Sequence, residues 1–132
     1  MTPSIFTTPL RLLGVIEAGW PSPAEEENPE NITVDDWLTD NWEATFMLKT
    51  QTTAMKGAGI VPNDMVLLDR SRTARDGDIV LALVDDVEAL RYFRKRGNRV
   101  WLEAAQPNIP PLVPHGRVIV IGVVFAVIRK YF

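Results

Sequence analysis

The sequence predicts a mostly-β domain preceded by an extended arm, and three observations predict it. Residues 45–49, 65–69, 79–84, 87–93, 100–104 and 118–128 are short runs of β-branched, aromatic and aliphatic residues. Turn chemistry separates them: Pro62-Asn63-Asp64, Arg75-Asp76-Gly77-Asp78, Asp85-Asp86, Arg96-Gly97-Asn98 and the 108–114 stretch. The first 33 residues instead hold Pro3, Pro9, Pro21, Pro23 and Pro29, which block helix and central strand alike.

Residues 1–33 read as an arm and 34–132 as the β-domain. Within the arm, Leu10, Leu12, Leu13, Val15 and Ile16 suggest a short strand at 12–16 that packs on something. The acidic run Glu25-Glu26-Glu27 suits an exposed segment. Thr33 is placed to cap a short helix, with Asp36 three residues on near its positive end. Trp37 and Leu38 are expected to face the core. Strands follow. Residues 91–99 predict a hairpin turning at Gly97-Asn98, a pair suited to positive φ. The apolar run 118–128 is too short for a membrane helix, which needs about 20 residues, and reads as a buried strand bent at Gly122.

Composition narrows the function classes. The chain has 132 residues, 46% hydrophobic and 23% charged, with a net charge of −3, which argues against broad phosphate binding. It has no cysteine, so no disulfide framework, thiolate metal site or cysteine nucleophile. A lone early Arg11 and a brief apolar patch do not make a secretory signal. The expectation is a cytoplasmic protein with no membrane span, metal or cofactor.

Two segments carry the chemistry. Ala18-Gly19-Trp20-Pro21-Ser22-Pro23-Ala24 is an extended string whose small-residue pair lets a nucleophile approach the backbone. Gln51-Thr52-Thr53-Ala54-Met55-Lys56-Gly57-Ala58-Gly59-Ile60 lies between the first strand-like run and Asn63-Asp64-Met65-Val66. With Asp76-Gly77-Asp78-Ile79-Val80 and Gly122-Val123-Val124, these strings resemble the LexA/UmuD family of self-cleaving serine peptidases, and the 18–24 string its UmuD branch. The likeness runs from about residue 12 to 131. No helix-turn-helix is read before the arm, as in the polymerase-accessory branch.

The resemblance implies a signal-peptidase-like β-fold, a scissile Ala18-Gly19 bond and a serine–lysine dyad. The family turn reads Gly-Asp-Ser-Met, which puts Ala54 at the nucleophile, Thr52-Thr53 in place of Gly-Asp, and Met55 next to them. Counting on from Asp76 puts Arg91 at the base. A methyl cannot attack a carbonyl, and a guanidinium cannot give up its proton to act as a base. These departures together read as natural loss of the site. The resemblance then implies a catalytically inactive regulator of error-prone synthesis in the SOS response. The resemblance implies a homodimer, or a heterodimer with an active UmuD-like protein. It also implies contact with a RecA filament, a Y-family polymerase and the sliding clamp, without sequence-specific DNA binding. Thr52 or Thr53, with Lys49 or Lys56 as base, defines an alternative residual self-peptidase; a decoy for a related partner is another. Arg91, Arg94, Lys95, Arg96 and Arg99 make a basic hairpin, read as a solvated turn in preference to a nucleic-acid finger. His115 reads as an exposed loop residue.

Overall fold

The computed structural model describes residues 10–12, 16–17, 20–21 and 30–132. By their contacts these form two units, one ending at Trp42 and the other running Glu43–Phe132.

In the first unit, β1 (Leu10–Leu12) pairs antiparallel with β4 (Glu30–Ile32), and β2 (Ile16–Glu17) with β3 (Trp20–Pro21). Of the strand expected at 12–16, Leu12 falls in β1 and Ile16 in β2, and residues 13–15 lie outside the described residues. Helix α1 (Val34–Leu38) follows, and its cap is the expected one: Thr33 Oγ1 accepts the Asp36 amide at 3.0 Å. The expectation that Trp37 faces the core is wrong. Trp37 is 72% exposed and the helix buries no residue. One and a half turns are too few to build an apolar stripe.

The second unit is mostly β, as the strand runs predict. Its antiparallel sheet has six strands: β5 (Thr45–Lys49), β6 (Met65–Asp69), β7 (Ile79–Val84), β8 (Val87–Arg96), β9 (Arg99–Glu103) and β10 (Val118–Ile128). They lie in the order β5-β6-β10-β7-β8-β9. β6 and β7 are apolar at nearly every position because both sheet faces are covered. On one face Val66, Leu68, Leu81 and Leu90 meet Met55 and Ile60 from the β5–β6 loop. On the other, Val80, Ala82, Val84 and Val123 meet Phe93 and Leu102 of the β8–β9 hairpin. Each large side chain buried this way contributes about 1.5–3 kcal/mol.

β10 bends where expected. Its pairing with β7 shifts register between Val120 and Gly122, and its pairing with β6 between Val124 and Ala126. A Cβ on Gly122 would stand 3.1 Å from Leu68 Cβ, so any other residue here would have to push β10 and β6 slightly apart. The β8–β9 turn takes positive φ at Gly97 alone (60°), whereas the β7–β8 turn takes it at both Asp85 (48°) and Asp86 (70°). β8 runs on to Arg96, three residues past the expected end, because Arg94, Lys95 and Arg96 pair with Trp101, Val100 and Arg99.

Candidate active-site groove

The β5–β6 connection, residues 50–64, is folded by its own small polar residues. Buried Thr50 anchors it: its amide donates to the Asp64 carbonyl (2.9 Å) and its carbonyl accepts from the Asn63 amide (2.8 Å). Two threonine turns follow in series. Thr50 Oγ1 accepts the Thr52 amide, and Thr52 Oγ1 accepts the Ala54 amide, each at 3.1 Å. The Ala54 carbonyl then accepts the Ala105 amide (2.8 Å), and the Ala105 carbonyl accepts the Gly57 amide (3.0 Å). These two bonds fasten the 54–57 turn to the chain leaving β9. The fit is close, since a Cβ on Gly57 would stand 2.1 Å from the Ala105 carbonyl oxygen.

An open groove of about 400 Å³ runs beside this loop. Lys49, Thr50, Gln51 and Thr52 form one wall, and Val87, Glu88, Ala89, Leu90 and Arg91 of β8 the other, with Leu48 and Leu112 at its margins. The structure therefore brings Thr52 and Arg91, 39 positions apart in sequence, to one groove. Arg91 sits opposite Val80 in the β7–β8 ladder and is half-buried. Burial pushes its guanidinium pKa down. Its Nη1 donates to the Pro110 carbonyl at a long 3.4 Å. Arginine starts so far above neutrality that this leaves it a cation.

Ala54 lies two residues beyond Thr52 and is 6% exposed. Met55 is fully buried and belongs to the core rather than to an open cleft. Thr53 is exposed, and its carbonyl receives a 3.4 Å contact from Gln106 Nε2. Lys49 and Lys56 are exposed. The Thr52 hydroxyl oxygen is already an acceptor for the Ala54 amide, so that amide is not free to hold an oxyanion. Ala18 and Gly19 lie outside the described residues.

Three features escaped sequence reasoning. Asp64 and Arg129 form an ion pair at 2.7 Å that ties the loop to the end of β10. The carboxylate of Asp85 accepts the amides of His115, Gly116 and Arg117 at 2.9, 2.9 and 3.0 Å, which hold its pKa below the usual value. Leu112 exchanges two backbone bonds with Leu102 and so covers part of the outer edge of β9. Among the described residues no group of three or more His, Asp or Glu side chains is placed to hold a metal ion. Among the described residues no helix is long and apolar enough to cross a membrane.

Residues 11–125, which include the 50–64 loop, the groove and all of the sheet but the end of β10, match a family model described as Peptidase S24-like. The chain belongs to the peptidase S24-like family. Curated relatives of this S24-like chain include the LexA repressor of Koribacter versatilis, 38% identical over 130 residues, covering 97% of the chain and 60% of that protein. The LexA repressor of an Anaeromyxobacter species is 31% identical, with 90% and 53% covered, and LexA repressor 1 of Geobacter sulfurreducens is 32% identical, with 91% and 60% covered. The S24-like chain thus spans between 53% and 60% of the length of these relatives.

Proposed function

We propose that this S24-like chain is a proteolytically silent, UmuD-like regulator of error-prone translesion synthesis in the SOS response. In this reading residues 1–33 are the arm that carries the cleavage-site string Ala18-Gly19, and the β-domain is the scaffold that partners recognise. The observation that carries the proposal is the pair Ala54 and Arg91, a methyl and a permanent cation where the family resemblance calls for a hydroxyl and a neutral amine. That Thr52 and Arg91 share a groove supports the assignment. So does the Ala54 amide, which is spent inside the loop. Proteolysis would then come, if at all, from an active relative acting in trans.

Self-association is part of the proposal. β10 pairs with β7 through Val118–Val123 and with β6 through Val123–Ile128, so each edge has a stretch without a ladder partner among the described residues. Val127, Tyr131 and Phe132 are exposed at the C-terminal end. An apolar strand with a half-open edge suits a two-fold pair of β10 strands.

The test is incubation of the purified chain with RecA filament, nucleotide and single-stranded DNA, followed by intact-mass measurement. The chain is expected to stay whole. Efficient scission between Ala18 and Gly19 without any other peptidase would refute the silent-site reading and favour the Thr52 or Thr53 alternative. Capture from DNA-damaged cells separates the regulator, which brings down a Y-family polymerase, from a decoy, which brings down only a LexA- or UmuD-type protein.

A further inference from the structure

Charge is divided unevenly along this chain. Of its 17 acidic and 14 basic residues, eight acids and one base fall in residues 1–42. That leaves nine acids against thirteen bases in 43–132, so the net charge of −3 conceals a basic β-domain.

Register sorts the basic hairpin. Tyr92, Arg94 and Arg96 of β8 stand opposite Glu103, Trp101 and Arg99 of β9. Alternate residues share a face, so these six share one side, where Tyr92 packs against the Met55–Leu68 core and the rest continue beyond it, while Phe93 and Leu102 enter the core on the other. Three arginines therefore share this face with one tryptophan. The Arg99 guanidinium lies 5.7 Å from the centroid of the half-buried Trp101 ring. Arg94 is held by Asp76 (3.0 Å) and Glu103 (3.1 Å) and acts as a strut. Lys95, Arg96 and Arg99 are exposed and make no ion pair among the described residues.

The 70–78 loop extends this surface. Asp76 Oδ1 also accepts the Lys95 amide (2.9 Å), and the Gly77 amide donates to the Phe93 carbonyl (2.8 Å), which ties the loop to the hairpin. Arg72, Thr73 and Arg75 on that loop line a cleft of about 410 Å³ together with Asp78.

We propose that the outer face of the β8–β9 hairpin, with the adjoining arginine loop, binds single-stranded nucleic acid without sequence preference. Arg75, Arg96 and Arg99 contact phosphates, and a base stacks on Trp101. An aromatic platform inside a cationic surface is what a single strand needs, because each nucleotide offers both a charge and a flat ring. An acidic peptide would match the charge but leave Trp101 without a role. Asp76, Asp78 and Glu103 on the same surface limit affinity and make binding sensitive to salt.

Fluorescence anisotropy of a labelled oligo(dT) of about 16 nucleotides, titrated with the full chain at several salt concentrations, tests this. Wild-type binding weakens with salt, with a slope of about −0.7 per phosphate neutralised. The double variant Arg96→Gln/Arg99→Gln flattens that slope by about 1.4. Trp101→Leu lowers affinity about tenfold at unchanged slope; if it does not fold, Trp101→Phe should fold and retain most of the binding. Lys130→Gln, on another element, binds as wild type. Circular dichroism confirms that each variant is folded. The proposal is overturned by no binding at about 50 mM salt or by hairpin variants that bind like wild type. It is equally overturned if a poly-glutamate peptide displaces the oligonucleotide as well as unlabelled oligo(dT) does, which would assign the surface to acidic proteins.

Discussion

Asp64 and Arg129 close the β5–β6 loop against the end of β10 with a two-pronged ion pair, Nε to Oδ1 at 2.7 Å and Nη2 to Oδ2 at 2.8 Å. Arg129 Nη2 also donates to the Gly59 carbonyl (2.8 Å), and Asp64 Oδ2 accepts the Val61 amide (2.9 Å). Asp64 is 1% exposed, so its charge depends on these partners. The Arg129 guanidinium, above all, holds the Asp64 pKa down at about 2, against an ordinary 3.8. A carboxylate with a lowered folded pKa contributes stability that is complete above its unfolded pKa and is lost as pH falls through the folded one. The loop should therefore loosen between about pH 4 and pH 2. Asp64→Asn should remove this acid-sensitive step, at a cost of about 2 kcal/mol at neutral pH. Arg129→Met should cost more at neutral pH, because it strands a buried charge, and should recover relative to wild type as acid neutralises Asp64. Acid titrations followed by near-ultraviolet circular dichroism check both; a wild-type profile for Arg129→Met would remove the pair from this role.

Gly57→Ala should disturb the same loop from the other side. The new methyl would overlap the Ala105 carbonyl oxygen, a backbone atom that cannot rotate away. We expect a loss of about 2–3 kcal/mol in urea unfolding, with weakened exchange protection at the Ala105 and Gly57 amides. Gln106→Ala removes only a 3.4 Å contact to Thr53 and should cost less than about 0.5 kcal/mol.

Asp85→Ala should free the 115–117 segment without unfolding the sheet. Three amides lose their acceptor, and their hydrogen exchange should speed up together. Asp85→Asn keeps an oxygen acceptor and should retain most of the protection. Because the folded pKa of Asp85 is lowered, wild-type protection here should also fade in acid, below the ordinary carboxylate range. Equal exchange in Asp85→Ala and wild type would show that the segment is held by something else.

Much of this fold was readable from local pattern. Gly97 set the hairpin turn, Thr33 the helix cap, and Gly122 the bend in β10, because each acts on neighbours within a few residues. Trp37 misled, since an aromatic in a helix of five residues has no stripe to join. The basic run at 94–96 concealed three more strand residues, because its pairing partners lie across the turn. At the groove, motif strings pointed to the 51–60 turn and to Arg91, and the structure puts Thr52 and Arg91 on one lining. The Asp64–Arg129 pair was not, since 65 positions separate partners with no shared motif. Asp85 likewise read only as a turn residue, although the loop it clamps begins 30 positions on.

Ala54→Ser with Arg91→Lys tests whether this scaffold still has the geometry of a peptidase. The burial that lowers the Arg91 pKa would act on a lysine ammonium in the same direction, toward a neutral amine. Below the pKa of that amine, the fraction of active base rises tenfold per pH unit. Scission at Ala18-Gly19 should therefore be faster at pH 9 than at pH 8, by at most about tenfold. Each single variant should stay intact at both, since one lacks the base and the other the nucleophile. The Thr52 hydroxyl, which occupies the amide of residue 54, should keep the double variant slow, and Thr52→Gly should speed it by freeing that amide for the oxyanion. Intact-mass time courses of the four proteins give the answer. A folded double variant that shows no scission at any pH, with or without Thr52→Gly, would mean that residues 54 and 91 are not the dyad positions.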